Sequence, residues 1–328
     1  MQKHKKLFLI DGMALIYRAY YAMIKNPLTS SKGLNTSAIY GFISSLLKLI
    51  KDERPEYISI VLDTKAKTFR HHKYNLYKAN RKPMPEDLSE QLPFLYDVLN
   101  SFNIKMFKKD GFEADDIIGA ITRMEMTENI DFFMYSGDKD FMQLINQNTF
   151  LYSPGNNFKP TKIYKKENVF EKCNIYPEQF IDYLALLGDT SDNIPGVKGI
   201  GTKTASKLIN KYENLENIFK SLDDIQNMRI KNMLEENKED AFLSKELATT
   251  DVNVDIDFNL NELKIENLSY DKAVFKLNQL DIYAFDKKLN KHNNNLHTSD
   301  IKKKYQIVDT HDKLDILINE LKLSSFIS

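Results

Sequence analysis

The 328-residue sequence predicts an α/β fold in which helices flank a mostly parallel central sheet. Short apolar runs, typical of buried strands, alternate with segments whose apolar residues recur every three or four positions, which is typical of helices. This alternation favours a parallel sheet that carries helices on its faces. No run of 18 apolar residues occurs, so the sequence predicts no membrane-spanning helix.

The elements follow one another regularly along the chain. The predicted strands are LFLI (7–10), ISIVL (58–62), IKMF (104–107) and FFMY (132–135). The helices predicted among them cover residues 36–51, 86–101, 113–127 and 139–146. Beyond residue 176 the pattern is helical, with helices predicted over 177–187, 203–212 and 267–278. We therefore expect an α/β core over 1–176 and a helical part over 177–290.

Residues 287–328 have a different composition. The stretch KKLNKHNNNLHTSDIKKK (287–304) is polar and Asn-rich, and we interpret it, at least over 291–304, as a linker. YQIV, a helical pattern over 311–322 and SFIS follow. We interpret residues 305–328 as the truncated start of a second domain.

Carboxylates follow each of the predicted strands. Asp11 follows the first strand, Asp63 the second, and Asp138 and Asp140 the fourth, while the loop after the third leads to GFEADDIIG (111–119). A single Asp after a strand is commonly a turn residue, and acids at a helix N-terminus offset the helix dipole. Because the carboxyl ends of parallel strands meet at one edge, four such ends predict a strongly anionic cleft there.

Nine carboxylates are candidates for this cleft. They are Asp11, Asp63, Glu113, Asp115, Asp116, Asp138, Asp140, Asp189 and Asp192. So many carboxylates cannot all remain ionised together without a counter-charge. Oxygen ligands without Cys or His favour Mg²⁺ or Mn²⁺ over zinc. Two such ions could activate a water and stabilise a leaving oxygen, as in phosphodiester cleavage.

Positive charge is concentrated in two segments, although the formal net charge of the chain is zero. Residues 65–82 contain seven Lys or Arg, no acid, and the aromatic residues Phe69, Tyr74 and Tyr77. Residues 196–212 contain four Lys and no acid, and they overlap a Gly-rich loop whose N–H groups could hold a phosphate. Either segment could be a solvated face or an ordinary turn. The absence of acids and the interleaved aromatics favour nucleic-acid contact.

Other catalytic classes lack their motifs in this sequence. There is no GxSxG and no HExxH, and the run from Gly196 to Thr204 has Thr202 where a P-loop requires Lys. GIGTKT also lacks the third Gly of a dinucleotide-binding fingerprint. The single cysteine, Cys173, excludes an internal disulfide and fits a reducing compartment.

Taken together, these motifs resemble the 5′ nuclease domain at the N-terminus of bacterial DNA polymerase I, a relative of the flap endonucleases. The matching motifs are LIDG (9–12), VLDTKAKTFRH (61–71), YKANRKPMPEDL (77–88), GFEADDIIG (111–119), SGDKDFMQL (136–144) and LLGDTSDNIPGVKGIGTKTA (186–205). The segment from Tyr305 resembles the opening of the proofreading-exonuclease-like domain that follows in those polymerases.

The resemblance implies a helical arch over about 65–100, a helix–hairpin–helix over 188–212, and roles for individual residues. Tyr77, Lys78 and Arg81 would steer the 5′ strand, with Lys78 and Arg81 catalytic at the scissile phosphate, and Arg18 and Arg70 would contact further phosphates. The first metal would bind Asp11, Asp63, Glu113 and Asp115, with Asp116 acting through water, and the second would bind Asp138, Asp140, Asp189 and Asp192. The hairpin would contact DNA, in the family often with K⁺, through Gly196, Lys198, Gly199, Gly201 and Lys203.

The function implied by the resemblance is structure-specific phosphodiester hydrolysis. The substrate would be 5′-flap or nicked duplex DNA and RNA primers, cut by a two-metal mechanism in replication and repair. The protein would be a monomer at the nucleoid of a bacterial cytoplasm and the N-terminal part of a DNA polymerase I. Two alternatives remain open: a free-standing 5′ nuclease, and a structure-specific DNA-binding module without catalysis.

Overall fold

The computed structural model describes residues 4–126, 129–156 and 159–286. Its centre is a six-stranded sheet with the strand order β3-β2-β1-β4-β5-β6. The first five strands run parallel, and β6 is antiparallel to β5. The strands are β1 (Lys5–Asp11), β2 (Tyr57–Val61), β3 (Met106–Phe107), β4 (Ile130–Tyr135), β5 (Thr149–Ser153) and β6 (Lys162–Tyr164). The predicted mostly parallel sheet is confirmed.

Helices cover both faces of this sheet. The helices are α1 (Gly12–Ala22), α2 (Ser37–Glu53), α3 (Phe69–Lys73), α4 (Glu86–Ser89), α5 (Leu92–Ser101), α6 (Ala114–Arg123), α7 (Lys166–Cys173), α8 (Phe180–Leu187), α9 (Thr202–Tyr212), α10 (Leu215–Lys220), α11 (Met228–Glu236), α12 (Lys238–Ala248) and α13 (Tyr270–Asn278). No helix among the described residues is both long and apolar enough to cross a bilayer.

Alternation along the central strand creates two hydrophobic cores. Leu7 and Leu9 of β1 point to one face, where they pack with residues of α6, α8, α9, α10 and α12. Phe8 and Ile10 point to the other face, where they pack with residues of α1, α2, α5 and α13. Burial on both faces explains why the strand reads as a continuous apolar run.

The register of the sheet brings the ends of three strands together. Asp11, the last residue of β1, pairs with Val61 of β2, and the preceding Ile10 pairs with Tyr135 of β4. The residues that follow β2 and β4 in sequence therefore leave the sheet on either side of Asp11. This register gathers the predicted acids at one edge.

Several predicted elements differ from the observed ones. The helix predicted over 86–101 is divided into α4 and α5, because Pro93 near the start of α5 has no N–H to continue the helical hydrogen bonds. The helix predicted over 139–146 is a 3₁₀ helix at Asp140–Leu144, and the strand predicted over 104–107 is only Met106–Phe107. Helix α1, strands β5 and β6 and helices α7, α10, α11 and α12 were not predicted. The linker and the second domain predicted over 287–328 lie outside the described residues.

The segment predicted as an arch carries the short helices α3 and α4, joined by turns, and most of α5. Residues 188–201 connect α8 to α9, which is the position predicted for the hairpin. Both segments lie at the edge of the sheet that carries the acids, because residues of both line the same cavity.

Candidate active site

A cavity of about 240 Å³ lies at the carboxyl edge of the sheet. It is lined by six of the predicted acids, Asp11, Asp63, Asp115, Asp138, Asp140 and Asp192, and by Arg70, Tyr77, Lys78 and Arg81 of the arch segment. Residues more than 180 positions apart in sequence thus meet at one place. The structure brings together most of the residues that the sequence assigned to metal and phosphate.

Backbone N–H groups at two helix starts orient the acids of the central strands. Asp11 caps α1, since its Oδ1 accepts a hydrogen bond from the Ala14 N–H at 3.0 Å. Its Oδ2 accepts from the Ser136 hydroxyl at 2.9 Å. Asp63 accepts from the Ala114 N–H, in the first turn of α6, at 2.9 Å. Each of these two carboxylates is therefore held by a helix N-terminus, which favours a negative charge.

A short series of hydrogen bonds orients Asp138 and Asp140, the acids after β4. The Asp138 N–H donates to the Ser136 hydroxyl oxygen at 3.1 Å, and the Asp140 N–H donates to the Asp138 carboxylate at 2.9 Å. Because Ser136 also donates to Asp11, it links the acids of β1 and β4. Ser136 was not predicted as a site residue, although its place directly after β4 was a signal for it.

Two basic side chains and a tyrosine of the arch segment face the acids. The Lys78 Nζ lies 2.6 Å from Oε1 of Glu113 and 3.7 Å from Oδ2 of Asp192. Arg81 forms an ion pair with Asp192, and the Tyr77 hydroxyl donates to Glu113 at 3.0 Å. Burial opposes the charged form of Lys78, but these two carboxylates outweigh it and raise the pKa of the ammonium group.

The remaining acids of the cavity are poorly neutralised. Burial raises the pKa of Asp11 to about 6, and Asp63 and Asp138 add to the shift. Burial also raises the pKa of Asp140 to about 8, with repulsion from Asp138, Asp189 and Asp192 adding to it. The pKa of Asp115 is raised well above its usual range by burial and by Asp116. A cleft of this kind favours the binding of further positive charge.

Asp116 and Arg70 form a buried ion pair. Asp116 is 0% exposed and Arg70 1% exposed, and two parallel hydrogen bonds of 2.7 and 2.8 Å join them. Asp116 also accepts from the N–H groups of Glu113 and Asp251, and Arg70 also donates to the carbonyls of Leu247 and Thr249. Both groups are thus saturated by partners within the protein, and their predicted roles, Asp116 at a metal through water and Arg70 at a phosphate, stay predictions.

Two more predicted acids lie outside the lining of the cavity. Glu113 directly precedes α6 and contacts Tyr77, Lys78 and Arg70, so its carboxylate holds these side chains of the arch segment. Asp189 accepts hydrogen bonds from the N–H and the hydroxyl of Ser191 at 2.7 and 3.1 Å, so its carboxylate orders its own loop.

Some of the residues predicted to contact DNA are exposed, whereas others are hydrogen-bonded within the protein. Lys198, Gly199, Gly201 and Lys203 are exposed, at the turn before α9 and in its first turn. Gly196 is buried, and its N–H donates to the Ser244 hydroxyl at 2.8 Å, so its predicted DNA contact stays a prediction. Arg18 is partly exposed and donates to the carbonyls of Pro154 and Gly155.

Two models of one protein family together match residues 6–271 of the chain. Residues 6–174 match the family model described as 5′-3′ exonuclease, N-terminal resolvase-like domain. Residues 175–271 match the model described as 5′-3′ exonuclease, C-terminal SAM fold. The chain belongs to the 5′-3′ exonuclease family. The resemblance inferred from the sequence motifs is thereby confirmed.

Individual members of the 5′-3′ exonuclease family match over most of the chain. DNA polymerase I of Caldicellulosiruptor bescii is 39% identical over 87% of this chain and 33% of its own length. A 5′-3′ exonuclease of Aquifex aeolicus is 36% identical over 88% of this chain and 96% of its own length. The chain thus spans about a third of the length of the polymerase relative and nearly all of the exonuclease relative.

A solved structure supports the fold. The flap endonuclease of bacteriophage T5, in a complex with DNA and metal ions, aligns with a TM-score of 0.61 and 22% identity. The alignment covers 88% of this chain and 98% of the phage protein. The phage protein therefore shares the fold of this chain, the α/β sheet with its helical second part.

The donor chemistry of the cavity suits a hard divalent cation. Within the described residues, no group of three or more His, Cys, Asp or Glu side chains is spaced to hold a metal ion as it stands. Six carboxylates nevertheless line one small cavity, and burial and mutual repulsion raise the pKa of several of them. Carboxylate oxygens are the ligands that Mg²⁺ and Mn²⁺ prefer, so the residues present fit such ions.

Sequence reasoning missed a group of residues at the end of α12. Leu247 and Thr249 accept from Arg70, the Thr250 N–H donates to Gln143, and the Asp251 N–H donates to Asp116. These contacts join segments more than 100 residues apart, and they are made mostly by the backbone. No local sequence pattern predicts contacts of this kind.

Proposed function

We propose that this member of the 5′-3′ exonuclease family is a divalent-metal-dependent nuclease specific for duplex DNA with a 5′ flap or nick and for RNA primers. The observation that carries the proposal is the cavity in which six carboxylates face Lys78 and Arg81. Two or more Mg²⁺ or Mn²⁺ ions are its proposed cofactors. The proposed setting is replication and repair at the nucleoid of a bacterial cytoplasm, with the protein acting as a monomer.

The proposed metal ligands fall into two groups. Asp11 ends β1, Asp63 follows β2 and Asp115 lies in the first turn of α6, while Asp138 and Asp140 follow β4 and Asp192 follows α8. Divalent ions bound there would lower the pKa of a water molecule and stabilise negative charge on phosphate oxygens. Glu113, Asp189 and Asp116 would support these groups from outside the cavity.

Lys78 and Arg81 are the proposed catalytic residues of the chain itself. In the structure they neutralise Glu113 and Asp192. A phosphodiester in the cavity would offer its own oxygens to the same donors, and these would offset the charge that develops during hydrolysis. Tyr77, buried against Glu113, would fix the turn that presents both residues.

Duplex binding is assigned to the turn before α9. Lys198 and Lys203 are exposed there, and the N-terminus of an 11-residue helix directs unpaired N–H groups outwards. Together they suit a phosphate of the duplex backbone, with K⁺ as an additional proposed ligand of the turn. Arg18, held by the carbonyls of Pro154 and Gly155, is a further proposed phosphate contact.

The relatives support two settings for this nuclease. The match to a third of a DNA polymerase I supports an N-terminal nuclease domain of such a polymerase. The match to nearly all of the Aquifex exonuclease supports a free-standing enzyme. The site and its chemistry are the same in both.

The proposal is tested by cleavage of a 5′-flap duplex labelled at the 3′ end of the flap strand, with Mg²⁺ and with EDTA. We expect a metal-dependent product cut within about a nucleotide of the junction. Combined Asp115→Ala and Asp138→Ala substitutions should abolish the product without loss of duplex binding, because both carboxylates lie in the cavity and away from the turn at Lys198. Binding without cleavage by the wild type, in Mg²⁺ and in Mn²⁺, would instead identify a non-catalytic DNA-binding module. Cleavage by the double variant near the wild-type rate would disprove the metal ligands.

A further inference from the structure

We propose that Asn193 is a positioning residue that holds Lys78 in its reactive orientation, an inference that rests on the proposed nuclease function. Asn193 lies in the loop between α8 and α9, beside Asp192 and opposite the arch segment. Its side chain lines no part of the cavity. It acts through the backbone of residues 76–80.

Three hydrogen bonds to backbone carbonyls join the arch segment to this loop, beside the contacts of Tyr77 and Arg81 with the Asp192 carboxylate. The Asn193 Nδ2 donates to the carbonyl of Leu76 at 2.7 Å, and the Lys78 N–H donates to the carbonyl of Asp192 at 2.9 Å. The Asn80 Nδ2 donates to the carbonyl of Thr190 at 2.6 Å. None of the three uses a carboxylate of the cavity. Residues 76–80 are therefore attached to residues 190–193 independently of any charge in the cavity.

The backbone of Lys78 shows why this attachment matters. Lys78 has φ +57°, in the left-handed region that a lysine rarely adopts. A residue stays in such a conformation when its surroundings hold it there. The hydrogen bonds of Asn193 to Leu76, two residues before, and of Asn80 to Thr190, two residues after, flank this turn. This turn directs the Lys78 side chain towards Glu113, so that its Nζ lies 2.6 Å from Oε1.

The backbone of Asn193 suits its position in the loop that contacts Leu76. Its φ is +58°, and asparagine tolerates the left-handed region better than most residues. The loop around it is fixed, since Asp189 and Ile194 exchange two backbone hydrogen bonds of 2.9 and 2.7 Å. Ile194 also packs with Tyr77 and Leu247. These contacts fix the loop. The chain continues from it into the turn before α9, and the arch segment is hydrogen-bonded to it.

From this geometry, loss of the Asn193 amide should affect catalysis more than binding. The exposed lysines of the turn before α9 would still contact the duplex, so its Kd should change little. Lys78 would lose the contact that fixes its turn, and misplacement of a reacting group by about 1 Å can cost roughly 100-fold in rate. We expect a loss of about 10- to 100-fold in the single-turnover cleavage rate at saturating protein.

The test compares Asn193→Gly with Asn103→Gly in the same chain. Glycine adopts the left-handed backbone without strain and removes the whole side chain with its amide, and the same holds for the control. Asn103 is a close match, because it has φ +60° and its Nδ2 donates to the carbonyl of Asn267 at 3.0 Å, at a place outside the cavity. Asn193→Gly should slow cleavage of the 5′-flap duplex with Mg²⁺, while Asn103→Gly should lower Tm to a similar extent and leave the rate unchanged. Asn80→Ala should slow cleavage in the same direction as Asn193→Gly.

A double-mutant cycle with Lys78→Ala separates positioning from general damage. If Asn193 acts through Lys78, Asn193→Gly should slow cleavage little further once Lys78 is alanine, because coupled residues are not additive. Additive losses, or equal rates for the Asn193 and Asn103 variants, would overturn the inference and leave the proposed function standing. Absence of metal-dependent cleavage by the wild type would overturn the proposed function and this inference together.

Discussion

At the scale of single residues, the segment Glu113–Asp116 shows how one cluster of acids is divided among different partners. Glu113 pairs with Lys78, Asp115 faces the cavity, and Asp116 pairs with Arg70 inside the protein. Burial and repulsion from Asp116 raise the pKa of Asp115 well above its usual range, and a bound cation would relieve that repulsion. The same local sequence thus contributes a proposed metal ligand, a support for a catalytic lysine and a structural ion pair.

Asp116→Asn should strongly destabilise the protein. The substitution leaves the Arg70 charge buried without its partner, and breaking a buried pair in this way costs about 3–5 kcal/mol. We expect the free energy of unfolding, measured by urea denaturation, to fall by about that amount. The folded fraction should keep its metal-dependent cleavage, because Asp116 lies outside the cavity.

Asp52→Asn serves as the control, since it breaks the exposed pair between Lys48 and Asp52 and should leave stability nearly unchanged. An Asp116→Asn variant of normal stability but without activity would contradict the structural role. It would return Asp116 to the predicted metal ligands.

At the scale of elements, three helix N-termini contribute to the proposed nuclease site. Helix α1 is capped by Asp11, and the first turn of α6 holds Asp63 through the Ala114 N–H. Helix α9 begins at Thr202, directly after the exposed turn with Lys198. The first two bind acids of the chain itself, whereas the third has basic residues around it. It is therefore available to an external phosphate.

Lys198→Ala and Lys203→Ala should weaken duplex binding without changing the cleavage rate at saturation. Each lost phosphate contact releases about one counterion fewer, so the slope of log K against log salt should fall by about 1 per substitution. Fluorescence anisotropy over a series of salt concentrations measures this slope.

Lys51→Ala is the matched control, because Lys51 is exposed in the last turn of α2, before β2 begins, and so at the opposite edge of the sheet. It should leave the slope unchanged. If the α9 variants bind like this control, the duplex contact lies elsewhere on the protein.

At the scale of the whole molecule, repulsion among the carboxylates of the cavity should lower the free energy of unfolding of the metal-free protein. The two cores on the faces of the sheet hold together strands whose ends repel one another. Burial and neighbouring carboxylates raise the pKa of Asp140 to about 8, from 3.8 in an exposed chain. Between these values the folded state binds more protons than the unfolded state. The contribution of Asp140 to stability should therefore be greatest below pH 3.8 and fall as the pH rises towards 8.

Asp140→Asn should remove part of this dependence. In EDTA the variant should be more stable than the wild type at pH 8 and equally stable near pH 4, where Asp140 is protonated in the folded wild type. Mg²⁺ should stabilise the wild type more than the variant, because a ligand that binds the folded state adds to its stability. Urea denaturation at both pH values, with and without Mg²⁺, measures these differences. A variant less stable than the wild type at pH 8 in EDTA would show that Asp140 is stabilised as a carboxylate.

The sequence by itself determined the sheet, the edge at which the acids meet and the family of the protein. Buried parallel strands such as LFLI are local apolar runs, and a carboxylate directly after such a strand has only one edge at which to lie. The motifs from LIDG to GIGTKT are contiguous, so the family could be recognised without coordinates.

Only the tertiary structure decided which acids face the cavity and which are paired within the protein. Arg70 binds Asp116 and the carbonyls of Leu247 and Thr249, and Asn193 binds the carbonyl of Leu76. These contacts involve partners distant in sequence and many of them backbone groups, which carry no side-chain signal. Whether a charge is saturated or available depends on such contacts, and the chain order alone does not contain them.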